Sequence, residues 1–171
     1  MKKILITLLV CVTCAFAASA QKAELQLGYG GYTQMDATNM HGGHGKVNTA
    51  WGALTAGVNF RVMPKLWIGP SYTFSSADFK HGDLNAYYHV IMMNARYEYY
   101  RNSIVKLYAH FGIGADITHI SDDEFSENKG YFAFQISPLG AEVDLNRTFK
   151  LFGEAGFGAQ GLIQVGFRVN L

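Results

Sequence analysis

Apolar residues recur at every second position through most of the chain beyond residue 22. The C-terminal stretch shows it most clearly. In Gly161–Leu171, Ile163, Val165, Phe167, Val169 and Leu171 share one face, and Gln164, Gly166, Arg168 and Asn170 share the other. A period of two marks an extended strand with one apolar and one polar face. Seven earlier segments carry the same signature. In Ala23–Gln34, Leu25, Leu27 and Tyr29 alternate with Glu24, Gln26 and Gly28; in Thr49–Val62, Leu54, Ala56, Val58 and Phe60 alternate with Thr55, Gly57, Asn59 and Arg61. Leu66–Ser75 and Tyr87–Tyr100 follow suit, the latter setting Ile91, Met93, Ala95, Tyr97 and Tyr99 against Asn94, Arg96 and Glu98. The fifth segment sets Leu107, Ala109, Phe111, Ile113, Ala115 and Ile117 against Lys106, Tyr108, His110 and Asp116. In the sixth, from Phe132, the phase slips by one at Pro138-Leu139-Gly140, which predicts a β-bulge. The seventh, Lys150–Gln160, sets Leu151, Ala155, Phe157 and Ala159 against Lys150, Glu154 and Gln160.

Eight amphipathic strands predict an all-β architecture, and three features turn the apolar face outward. The polar face carries charges of both signs and many glycines, so it makes a poor soluble core. Tyr29, Tyr72, Tyr87, Tyr97 and Tyr99 gather toward strand ends, as residues at a membrane interface do. The chain ends on a strand, which in lipid must pair on both edges and therefore close against the first. The expected fold is a closed antiparallel eight-stranded transmembrane β-barrel. Tight turns at Met63-Pro64-Lys65, Arg101-Asn102-Ser103 and Asn146-Arg147-Thr148 alternate with connections expected to be long and polar after the first, third and fifth strands. Pro70 and Pro138 each remove a ladder donor, and a bulge or a membrane-boundary position would accommodate them. A soluble periplasmic barrel would turn the same alternation inside out.

The N-terminus supports export. Lys2 and Lys3, the apolar run Ile4–Ala17 and Ala18-Ser19-Ala20 read as the basic, hydrophobic and cleavage regions of a signal peptide over residues 1–20, leaving 21–171 as the barrel domain. Both cysteines, Cys11 and Cys14, lie in the leader, so the mature chain is expected to have no disulfide or thiol chemistry. Removing Lys2 and Lys3 leaves thirteen acids against twelve bases, a balance that gives no reason to expect a nucleic-acid partner. The G-x-G runs lie inside strands, with no helix to make a phosphate site, and no cofactor is expected.

With the leader, the eight-strand rhythm, the glycine-aromatic texture, the Q-I-S-P-L-G run at Gln135–Gly140 and the terminal G-F-R-V-N-L, the chain resembles the small outer-membrane β-barrels, both the OmpX-like barrels and the OmpA-type transmembrane domain. The resemblance covers the whole mature chain. It implies residence in the outer membrane of a Gram-negative envelope, contact with lipopolysaccharide, and delivery by the outer-membrane insertion machinery. It also implies a monomer whose loops face outside and can meet an extracellular ligand. Members of this group usually end on an aromatic residue; here the last is Leu171, with Phe167 four positions earlier.

The polar face supplies the candidate sites. Glu24, Arg96, Glu98, Glu154 and Arg168 are expected to form an interior network, because a barrel this narrow is filled by its own side chains and buried charges must pair. The alternative is a narrow pore. His41 and His44, near Asp36, are a weak candidate for a metal. His119 and Ser121 match the His-x-Ser pair of lipid A deacylases, in which histidine activates serine and an acid orients the histidine. That family's pattern continues with asparagine, where this chain has Asp122. The leading expectation is a non-enzymatic structural or surface-exposed barrel.

Overall fold

The computed structural model describes residues 22–37, 47–79, 85–121 and 126–171. Eight strands follow in chain order: β1 (Ala23–Gly31), β2 (Val47–Met63), β3 (Leu66–Phe79), β4 (Asn85–Arg101), β5 (Val105–Ser121), β6 (Ser126–Asp144), β7 (Phe149–Gly158) and β8 (Ile163–Asn170). Each pairs antiparallel with its neighbour in sequence. β8 returns to β1 in an unbroken register from Glu24↔Asn170 to Gly31↔Ile163, so the sheet closes. Closure removes the open edge that lipid cannot satisfy.

The apolar face lies outside. Leu27, Ile91, Phe111, Ile113, Phe132, Val165 and Phe167 are all exposed, while Gln26, Thr55, Asn94, Arg96, Gln135 and Arg168 are buried. Exposed Tyr97 and Tyr99 lie toward the end that holds both termini, and Tyr29 and Tyr87 toward the other. Tyr29 donates its hydroxyl to the Trp51 carbonyl and meets the Trp51 ring edge-on.

Most strands run longer than the periodicity suggested. β2, β4 and β5 have 17 residues each and β6 has 19, against about 9–11 needed to span a bilayer. β3 therefore continues to Phe79 and β6 starts at Ser126. Only residues 80–84 and 122–125 separate the neighbouring strands, so the connections expected to be long after β3 and β5 are short. Glu127 and Lys129, which precede the Phe132 start expected for the sixth segment, belong to β6. The connection from β7 to β8 is tight, with Gly158 and Gly161 both at positive φ.

β1 also ends early. Tyr32 adopts a left-handed backbone (φ 52°), and Gln34–Ala37 forms a single helical turn, α1, where the alternation had suggested more strand. The cause is a local cap. Thr33 N donates to Asp36 Oδ2 at 2.7 Å, and Asp36 N bonds back to Thr33. Four residues with a reciprocal cap favour a turn over extension. The turn drops into the barrel mouth, where Met35 packs with Tyr88, Val90, Met92, Ala133 and Ala159. Ala159, assigned by alternation to the outer face, is fully buried here because it lies beyond the end of β7. Gln34 completes the seal by bonding the Phe132 carbonyl and the Phe134 N–H of β6, above the last β6–β7 pair.

The bulge at Pro138 sets the chemistry of the interior. The β6–β7 register shifts between Ile136 and Leu139, and both Pro138 and Leu139 are exposed. Two successive outward side chains reverse the phase beyond them, which turns Glu142 inward; without the slip it would face lipid. Gly140 lies just past the bulge, where a Cβ would stand 2.3 Å from the Tyr108 ring. Pro70 is different: the β2–β3 register is the same at Gly57↔Ser71 and Phe60↔Ile68, so no bulge accommodates it.

A closed sheet of this kind unfolds only when many ladder bonds break together. Refolded protein is expected to migrate differently on a denaturing gel before and after boiling. Identical mobility, with recovery in the aqueous fraction, would contradict the outward apolar face.

Candidate functional site

The half of the lumen nearer the termini is an ion-pair network built on Arg168 of β8. Its Nη1 lies 2.9 Å from Glu142 Oε2, its Nη2 3.0 Å from Glu154 Oε1, and its Nε donates to Gln26 Oε1 at 2.9 Å. The guanidinium stacks on Phe152, 4.0 Å from the ring centre. Phe152 fits because Gly28 and Gly166 face each other beside it; a Cβ on Gly166 would meet the ring at 2.7 Å. Arg96 is the second hub, 2.7 Å from Glu24 and 3.4 Å from Glu142. Lys150 reaches Glu24 at 3.0 Å, and Lys106 reaches Glu142 at 3.0 Å and Asp144 at 2.6 Å. Glu98 accepts from Trp67 Nε1 at 2.7 Å and pairs with Arg101. His110 bridges Glu154 and Asn94 through its two ring nitrogens, at 2.8 and 3.0 Å.

The five residues singled out by alternation, Glu24, Arg96, Glu98, Glu154 and Arg168, are all buried in this network. Reading the sequence alone missed Glu142, which touches Arg96, Arg168, Lys106 and Lys150. The signal was present, because the phase after the Pro138 slip places Glu142 opposite Ala141 and Val143. Arg96, Arg168, Lys106 and Lys150 balance Glu24, Glu98, Glu142 and Glu154 in number. Such balance keeps charged groups in a closed interior from being uncompensated.

Little space remains. Among the described residues the central lumen holds a void of about 10 Å³ lined by Gln26, Asn59, Asn94, Arg96, His110 and Arg168. That is roughly the room one water molecule needs.

The other candidates fare differently. His41 and His44 lie outside the described residues, and the Asp36 carboxylate is engaged by Thr33. Among the described residues no group of three or more His, Cys, Asp or Glu side chains has metal-binding geometry. His119 and Ser121 occupy alternate positions near the end of β5. Their register partners are Tyr87 and Asn128 for His119, and Asn85 and Ser126 for Ser121. None of these is an acid. Glu127, the nearest β6 carboxylate, is the register partner of Ile120. Asp122, Asp123 and Glu124 lie outside the described residues.

A profile for the outer membrane protein beta-barrel domain matches residues 6–161. This chain belongs to that family. Its place is accordingly the outer membrane, and its polar lumen and apolar wall follow the family's architecture. Among solved structures it is similar to the N-terminal β-barrel domain of Pseudomonas aeruginosa OprF, at 9% identity and a TM-score of 0.55, covering 89% of this chain and 98% of that one. It is also similar to Ail, the attachment invasion locus protein of Yersinia pestis, at 13% identity and a TM-score of 0.47, covering 87% and 93%. At such identities the OprF likeness concerns the fold alone. No curated protein matches the chain by sequence. The family is defined by its barrel and carries no single activity, so function has to be argued from the site.

Proposed function

We propose that this member of the outer-membrane barrel family is a non-enzymatic, surface-exposed scaffold. Its barrel anchors the connections beyond β1, β3 and β5 for contact with an extracellular ligand. It meets lipopolysaccharide through its wall as a monomer, and the insertion machinery receives it through the β8 strand. The observation that carries this reading is the filled lumen. A void of about 10 Å³ beneath an apolar plug and above a balanced ion-pair network leaves no aqueous path among the described residues.

Three measurements on one preparation test the proposal. Planar bilayers containing refolded protein are expected to show no stepwise conductance; regular steps would establish a pore. Lipid A from cells expressing the native chain and the Ser121→Ala variant is expected to carry identical acyl chains. Loss of an acyl chain in the native strain alone would establish a hydrolase. An epitope inserted within residues 38–46 is expected to label on intact cells, and labelling only after lysis would remove the surface role.

A further inference from the structure

At the end of the barrel that holds both termini, the lumen widens into a bowl of about 180 Å³. Its lining carries six cations, Lys22, Arg61, Arg101, Lys106, Arg147 and Lys150, and only two carboxylates, Glu98 and Asp144. The chain as a whole is nearly neutral, with 14 Lys and Arg against 13 Asp and Glu, so this excess is local. Three of the cations are already engaged. Arg101 pairs with Glu98, Lys106 with Glu142 and Asp144, and Lys150 with Glu24 and Glu142. Lys22, Arg61 and Arg147 form no ion pair with the described residues. Arg61 is the most telling of these. One Nη2 bond goes to the Pro64 carbonyl at 2.5 Å, while its Nε is shut off from solvent with no acceptor. A buried donor left without a partner costs about 1–3 kcal/mol, so the Arg61 side chain stands short of its full set of hydrogen bonds.

We infer that this bowl is a binding site for a compact oxyanion, with phosphate as the chemistry it fits. Arginine forks match the oxygens of phosphate and bind them through charge-assisted hydrogen bonds. The surplus of positive charge favours a group carrying two negative charges over chloride or a single carboxylate. The volume admits such a group but no large ligand. The bowl adjoins the central network through Glu98, Arg101, Lys106 and Lys150, while Arg61 and Arg147 take no part in the contacts that hold Arg168 and Arg96. Two sources present this chemistry at that surface, free phosphate and the headgroups of anionic phospholipids in the adjacent leaflet.

The test uses the intact refolded barrel labelled with nitrogen-15. In neutral detergent, inorganic phosphate is added against a sodium chloride control of matched ionic strength. Saturable shifts are expected at the Arg61 and Arg147 guanidinium signals and at the Asn146–Thr148 amides. In Arg61→Gln/Arg147→Gln the affinity is expected to fall about tenfold for each arginine removed. The Lys65→Gln variant, which alters an exposed turn residue outside the bowl lining, is expected to bind like the native chain. The boiled and unboiled gel pattern shows that each variant has folded. Shifts that match the chloride control, or that persist unchanged in the double variant, would overturn the site. Repeating the comparison in nanodiscs separates the sources. If phosphate binding is lost in discs containing phosphatidylglycerol but retained in phosphatidylcholine discs, the headgroup is the occupant. Binding retained in both assigns free phosphate.

Discussion

Replacing Arg168 by methionine is expected to lower the unfolding free energy by about 3–5 kcal/mol, the range for removing one partner of a buried ion pair. The size follows from what the side chain leaves behind. Arg168 is 1% exposed and touches Glu142 and Glu154 at 2.9 and 3.0 Å, with Glu24 at 3.7 Å. Methionine fills much of the volume but offers no charge, so three carboxylates compete for Arg96, Lys150 and Lys106. Arg168→Lys separates charge from geometry. It keeps the cation but cannot reach Gln26, Glu142 and Glu154 together, and an intermediate loss is expected. Urea unfolding in lipid vesicles gives the measurement, with Trp67 fluorescence as a reporter inside the network. A loss below about 1 kcal/mol for methionine, the scale of solvent-screened pairs, would mean that water enters the lumen and replaces the lost charge.

The second large effect concerns the wall. Ile113 stands at the middle of β5, exposed between Met93 of β4 and Phe134 of β6. Ile113→Arg is expected to destabilise the inserted barrel by about 2–4 kcal/mol, the cost of a cation on the lipid face near the midplane. Ile104→Arg is the internal control. Ile104 is equally apolar and exposed, but it lies in the turn before β5, where the same charge is expected to cost about 0–1 kcal/mol. The comparison asks whether position relative to the bilayer sets the cost rather than the chemistry of the substitution. Equal costs at the two sites would argue that β5 does not face hydrocarbon at its centre.

Much of this barrel was legible because a strand writes its two faces directly into alternate residues. Leu25 and Leu27 against Glu24 and Gln26, or Phe167 against Arg168, declare a side without reference to any distant part of the chain. The slip at Pro138 was legible for the same reason, since a bulge is a local change of phase. Eight such segments, the last of them the closing strand, were enough for the architecture and for most of the membership of the inner face. What alternation cannot carry is length beyond the membrane. Above the hydrocarbon both faces meet water, so the pattern fades although the ladder continues; β3 running on to Phe79 and β6 beginning at Ser126 went unseen for that reason. The helical turn at Gln34 was hidden differently, since its cap depends on two side chains and its value depends on the open mouth it fills.

By itself, then, the sequence determined which residues face the lumen, because orientation in a strand is a property of neighbouring positions. Only the tertiary structure decided which of them meet. Glu24 and Lys150 are 126 positions apart and become partners only when β8 closes on β1. Glu142 became the shared acceptor of four cations, and among the described residues Arg61 and Arg147 were left without carboxylates at the rim. Pairing in a closed barrel is set by register and closure, and both are long-range properties of the sheet.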